Sequence, residues 1–168
     1  MKDDCDMTEY ESRLDHELQA ILLGQRVAAL GTLQSDGKPY VSMVPYAIEP
    51  VSGRVVLQVA TLAPHAEHMR YDPRVSLLVI ATEPTDLPPG TQPRLTLEGR
   101  AEFLQNGSAE WQACRSAFID RYPDSGPLNA MLEFDFIALR LSVARQVSGF
   151  GTTRNVPGDL LQPLLAAA

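Results

Sequence analysis

Between Val27 and Thr61 three strand-length runs follow one another with no room for a helix between them. The runs are Val27 to Leu33, Tyr40 to Ile48 and Arg54 to Thr61, all rich in β-branched and aliphatic residues. The segments between them, Ser35-Asp36-Gly37-Lys38 and Glu49-Pro50-Val51-Ser52-Gly53, have the composition of hairpin turns. Parallel neighbours need a crossover of about a dozen residues or more, so these strands must run antiparallel, as a meander. A doubly wound parallel sheet is disfavoured on this ground.

The rest of the chain adds strands and helices without changing that class. Thr8 with Glu11 makes a capping-box pattern, and Leu14, Leu18, Ile21 and Leu22 recur at helical spacing until Gly24 supplies a stop. Ala63 to Tyr71 reads as a short helix closed by Asp72-Pro73, with a strand from Arg74 to Ala81 directly after it. The proline-rich stretch Glu83 to Pro93 reads as a surface loop. In Arg94 to Leu104, Leu95, Leu97 and Gly99 alternate with Thr96, Glu98 and Arg100, a strand with one dry and one wet face. Ser108 caps a further helix whose stripe holds Trp111, Cys114, Arg115, Phe118 and Tyr122, and Pro123 ends it. A connector containing Asp124-Ser125-Gly126-Pro127 leads to the last long strand, Phe134 to Val147. Six strands joined mostly by tight turns predict a mainly β, α+β chain built as a closed or partly closed antiparallel barrel with flanking helices.

At 168 residues the chain fits one domain. We expect a flexible N-terminus over 1–8, a barrel over 9–151 and a short tail over 152–168, with a turn of helix at Asp159 to Leu165. A net charge of −7 argues against broad nucleic-acid binding, so any phosphate must be held by a small local basic patch. Cys5 and Cys114 are far apart and form no Cys-x-x-Cys pair, which speaks against a disulfide framework or zinc knuckle. The acidic start Met1-Lys2-Asp3-Asp4 is unlike a signal peptide, and no apolar run approaches bilayer length, so the expectation is a cytoplasmic protein.

Common catalytic signatures are absent: no dinucleotide fingerprint, no phosphate loop and no nucleophile elbow. His16 falls on the polar side of the first helix. His65 and His68 stand three residues apart on one helix face, near the start of that helix and ahead of Arg70 and Arg74. That placement suits an anion better than a metal, for which only Glu67 and Asp72 are close by in sequence. A solvated polar helix face is the plain alternative. Pro45 interrupts a strand and marks an edge, a bulge or an opening where backbone stays free for a flat ligand. Trp111 and Phe118 read as packing residues. Gly149-Phe150-Gly151 ends the last strand, as a chain terminator or as a place of close backbone approach.

Five segments occur in a telling order: Ser42-Met43-Val44-Pro45-Tyr46; Leu62-Ala63-Pro64-His65; Tyr71 to Val79; Arg94 to Ala101; and Asp135-Phe136 with Gly149-Phe150-Gly151. In this order they resemble the pyridoxamine 5′-phosphate oxidase-like FMN-binding split barrels, and in particular their haem-utilisation branch. The resemblance covers residues 12–151. It implies a six-stranded Greek-key split barrel and a homodimer with FMN at the subunit interface, probed by a small-molecule substrate. FMN would make the protein a flavoprotein, a small oxidoreductase of unspecified substrate, with no catalytic acid or base assignable. Carried over residue by residue, the flavin would lie along Tyr40, Ser42, Met43, Val44 and Pro45 and touch Ala60 and Thr61. Thr61 and His65 would hold the phosphate with His68 assisting, and Arg94 would reach in from the second subunit. The oxidases carry Arg and Lys where this chain has Tyr40 and Pro45, and an Arg-Lys pair where it has Pro64-His65, so phosphate-directed cations are missing and the oxidase substrate residues do not transfer. Two alternatives follow: a haem-binding or haem-utilisation barrel with weak or lost flavin binding, or the deazaflavin F420 in place of FMN. Longer haem-utilisation relatives place a ligating histidine in a C-terminal region, and this chain has no histidine after His68, which leaves His65 or His68 as axial candidates.

Overall fold

The computed structural model describes residues 2–82, 88, 90–125, 133–149 and 151–166. The strands are β1 (Val27–Leu33), β2 (Pro39–Ile48), β3 (Val55–Ala60), β4 (Arg74–Ile80), β5 (Arg94–Phe103), β6 (Phe134–Val147) and β7 (Thr153–Pro157). The helices are α1 (Lys2–Gly24), α2 (Pro64–Tyr71), α3 (Ala109–Arg121) and α4 (Gly158–Ala166), with a 3₁₀ turn at Pro123–Ser125.

All pairings are antiparallel, in the order β3-β2-β1-β4-β5-β6-β7, and an additional β3–β6 pairing closes the first six strands into a barrel. The order β4-β1-β2-β3 is a Greek key, in which the strand after the three-strand meander returns beside the first. Closure depends on a sharp bend in β5. The register shifts between Glu98 and Gly99, and a Cβ at Gly99 would stand 2.3 Å from the Arg140 carbonyl oxygen of β6. Only glycine lets the two backbones come that close.

Alternation decides what fills the barrel. Leu30, Tyr46, Leu57, Leu77, Leu97, Ile137 and Leu139 point inward and are buried, and Leu18 and Leu22 of α1 plug the same cluster. A second cluster lies outside the barrel, where Cys114 and Phe118 of α3, with Tyr122 directly after the helix, cover Ala47, Val56, Phe136 and Ala138. Cys114 is a free, buried thiol whose pKa burial pushes up to about 11.

The expected strands are present with ends shifted by at most one residue. Two regions carry more structure than the sequence pattern announces. Helix α1 already begins at Lys2. After Gly151, β7 pairs with the end of β6, and α4 packs Leu161 and Leu165 into the main core. Arg154 fastens this segment by donating to Gln146 Oε1 (2.8 Å) and Asp15 Oδ1 (2.6 Å). β7 is a short edge strand with mostly polar residues, so periodicity carries little signal there. Phe150 and most of the 83–93 loop lie outside the described residues.

Candidate functional site

The site begins where β2 changes partners. Pro39 to Pro45 pair with Leu33 to Val27 of β1, whereas Tyr46 to Ile48 pair with Leu57 to Val55 of β3. Pro45 therefore sits at the fork, where its missing N–H costs no ladder bond. Of the options open for this proline, the structure matches the opening: the edge of residues 39–45 that faces away from β1 is not taken up by another strand among the described residues.

Helix α2 lies across this opening, held by its last turn. Arg70 donates to the Thr61 carbonyl (3.0 Å), pairs with Asp135 and stacks its guanidinium on Phe103 at 4.9 Å from the ring centre. The helix then presents two imidazoles to the barrel in parallel fashion. Ser42 Oγ shares a hydrogen bond with His65 Nδ1 (3.2 Å), and Thr32 Oγ1 shares one with His68 Nδ1 (3.1 Å). Thr32 is opposite Tyr40 in the β1–β2 ladder, and the Tyr40 ring meets His68 edge-on at 5.0 Å. The two histidines thus engage separate hydroxyls. Each keeps Nε2 without a partner among the described residues. Burial first, and the neighbouring His68 second, push the His65 pKa below its ordinary value, so this ring is neutral near pH 7.

His65 borders a cavity of about 300 Å³ between β2, β3, α2 and α3. Its walls include Met43, Val44, Pro45, Ala60 and His65 from the expected set. Phe118 of α3, Tyr122 at its C-terminal cap and Phe134 of β6 supply an aromatic wall that sequence reasoning did not assign to the site. Phe118 shares the helical stripe of a core residue and is indeed buried, so spacing alone cannot show that one edge of it also faces a cavity. Tyr122 is fixed by its hydroxyl, which accepts from the Tyr46 amide (3.3 Å) and shares its one proton between the carbonyls of Tyr46 (2.7 Å) and Arg26. Among the described residues no arginine or lysine lines this cavity.

The other expected residues are placed as follows. Ser42 and His68 stand beside the cavity through the hydrogen bonds above. Tyr40 borders a different groove. Thr61 meets the site through its backbone, donating to the Glu133 carbonyl (3.0 Å) and accepting from Arg70. Arg94 is remote from the cavity of its own chain, and donates to the carbonyls of Gly90 (2.9 Å) and Gln92 (3.1 Å). Thr32, the buried partner of His68, was not legible in advance, because only the strand register puts it opposite Tyr40. No group of three or more His, Cys, Asp or Glu side chains able to hold a metal ion occurs among the described residues.

The profile of the pyridoxamine 5′-phosphate oxidase family matches residues 14–147. The chain belongs to that family. Its relatives place it in the haem-utilisation branch. It is 25% identical over 150 residues to "Heme oxygenase HutZ" of Vibrio cholerae, covering 89% of this chain and 84% of that protein. It is 32% identical over 138 residues to "Non-canonical heme oxygenase HOZ, chloroplastic" of Arabidopsis thaliana, covering 81% of this chain but only 40% of that one. Among solved structures, a haem-binding protein from Mycobacterium smegmatis superposes with a TM-score of 0.79 at 28% identity, over 89% of this chain and 60% of that one. The chain therefore spans less than two thirds of the length of two of these relatives. No helix among the described residues is long and apolar enough to cross a membrane.

Proposed function

We propose that this chain is a haem-binding barrel of the haem-utilisation branch, with His65 directed at the iron. One observation supports the reading: the cavity that gathers half of the expected cofactor residues is mostly apolar and aromatic, has no cationic side chain among the described residues, and contains a single imidazole that is neutral near pH 7. A metal ligand must be an unprotonated imidazole, and a hydrogen bond at Nδ1 fixes the ring while leaving Nε2 to ligate. Ser42 is the group that fixes it. Haem would supply iron redox chemistry when bound. The chain's own part would be to orient His65 through Ser42 and to wall the cavity with Val44 and Phe134.

The relatives named for haem support the same reading. FMN, the family's usual cofactor, remains the second reading, with F420 as its deazaflavin equivalent, because the unpaired backbone edge of residues 39–45 suits a flat ring. Against it stands the want of phosphate-directed cations. Each charge-assisted hydrogen bond to such a phosphate is worth about 1.5–3 kcal/mol. A homodimer is part of the proposal: Val41 and Met43, both about two-thirds exposed, with Val27 and Ile80, present apolar side chains on the outer barrel face that suit a second copy.

Haemin titrated into the purified chain should give a Soret band with one haem per chain. That band should shift or vanish in His65→Ala and persist in His16→Ala. A chain that instead co-purifies with FMN, gains melting temperature from added FMN and shows no Soret band overturns the haem reading.

A further inference from the structure

We infer that the chain carries an electron route from its surface to the His65 cavity, entered at Trp111, and that it uses this route to reduce hydroperoxides with small anionic electron donors. The inference rests on the haem reading, because the route needs a redox-active ring in the cavity at its inner end.

The route is a row of aromatic rings behind the cavity wall. Phe118 borders the cavity, and its ring centre lies 4.7 Å from that of Tyr122, also in the wall. Phe118 next meets Phe136 at 6.0 Å, and Phe136 meets Trp111 edge-on at 5.7 Å. All four rings belong to or pack against the cluster under α3. Two ring-to-ring steps through close-packed side chains thus join the cavity wall to Trp111, the one tryptophan of the chain. The phenylalanines are too hard to oxidise to hold a charge. They are the medium between the cavity and a side chain that can give up an electron.

Of the three oxidisable side chains in this cluster, only Trp111 can also shed a proton. Tyr122 shares its hydroxyl proton between two carbonyls, and a carbonyl is no base. Cys114 is buried, and burial keeps its thiol protonated. Trp111 is half-buried, and its indole N–H has no partner among the described residues and is not enclosed, so its proton passes straight to water. The exposed Arg115 guanidinium stands 5.7 Å from the Trp111 ring centre. It opposes a positive charge on that ring, which ties electron loss to proton loss, and it draws an anionic donor to the same spot.

The chemistry balances. Hydrogen peroxide reduced at the cavity takes up two electrons and two protons, its O–O bond breaks, and it leaves as two waters. Each electron comes from Trp111, whose N–H proton goes to water to leave a neutral indolyl radical. An anionic one-electron donor then returns the electron, and the indole takes its proton back from water. One peroxide therefore consumes two donor molecules.

The test uses the full chain loaded with haemin and mixed with hydrogen peroxide. Without a donor, freeze-quenched EPR should show a radical whose signal narrows when the indole ring is deuterated, and peptide mass spectrometry should find oxidation at Trp111 and not at Cys114 or Tyr122. With the bulky disulfonate dye ABTS as donor, dye oxidation should be largely lost in Trp111→Phe while the Soret band stays as in the unaltered chain. Phe136→Leu, which interrupts the row, should slow the dye in the same way. Arg115→Gln, at an exposed position, should raise the KM for ABTS about two- to fivefold and leave that for neutral guaiacol unchanged. A normal Soret band with undiminished dye oxidation in Trp111→Phe, a radical or oxidation confined to Cys114 or Tyr122, or an unaltered KM in Arg115→Gln would each overturn this inference alone. Absence of any Soret band would overturn the haem reading and this inference together.

Discussion

Strand β2 lives in two environments, and the contrast between its halves separates a covered part of the barrel from an open one. In the second half, Val44, Tyr46 and Ala47 are at most 1% exposed, because the barrel core takes one face and α3 takes the other. In the first half, Val41 and Met43 are 68% and 66% exposed on the outer face, while the inner face meets α2 through polar pairs instead of a packed core. The same strand thus passes from covered structural member to open edge at Pro45. The lesson is that the cover, and not the strand sequence, assigns the role. Met43 and Val41 are as apolar as Val44.

The contrast can be broken most forcefully in the covered half. Phe118→Ala removes the α3 side chain packed on Ala47 and on the Phe136 ring, and should cost about 3–5 kcal/mol in urea unfolding. A loss below about 1 kcal/mol would mean that α3 does not bury this half of β2. Next comes Tyr122→Phe, which keeps the ring but strips the hydroxyl from the Tyr46 amide and carbonyl. It should cost about 1–3 kcal/mol by the same measurement.

In the uncovered half, Met43→Asp should leave the stability of the single chain within about 0.5 kcal/mol, since the side chain is exposed. Sedimentation equilibrium should nevertheless show weakened self-association. A variant that unfolds would show that some element of the chain itself covers Met43.

The smallest effect concerns pH. Burial and His68 hold the His65 pKa below its unfolded value of about 6.5, so the unfolded chain takes up this proton first. The stability contributed is fully present above that unfolded value and is lost as pH falls below it toward the folded pKa. Denaturation midpoints should therefore drop modestly on acidification through this window, and His65→Gln should flatten the drop. Haem affinity should fall only at lower pH still, below the depressed pKa of the folded chain, because a protonated imidazole cannot ligate.

Much of this was legible in the residues. The turns Ser35 to Lys38 and Glu49 to Gly53 left no alternative to an antiparallel meander, and inward alternation in β5 located the core. Pro45 announced an irregularity, and the pair His65 and His68 announced a polar face. What periodicity could not convey was long-range register. Thr32 becomes the partner of His68 only because β1 and β2 align 32 with 40, and Phe118 borders the cavity only because α3 docks on β2 and β3. The anchoring of the C-terminal segment was hidden for a related reason: β7 and α4 are short, and their stability comes from contacts with β6 and α1 instead of from their own pattern.

The fork in β2 has a consequence for solubility. A bare row of backbone donors and acceptors invites strands from other molecules, and so seeds fibrils and swapped dimers. Here that row is bracketed by Pro39 and Pro45, neither of which has a proton to offer. An intruding strand could gain only a few bonds between the two rings before meeting a dead end. A flat cofactor, which needs no repeating ladder, faces no such limit, so the two prolines keep the gap open to chemistry and closed to aggregation.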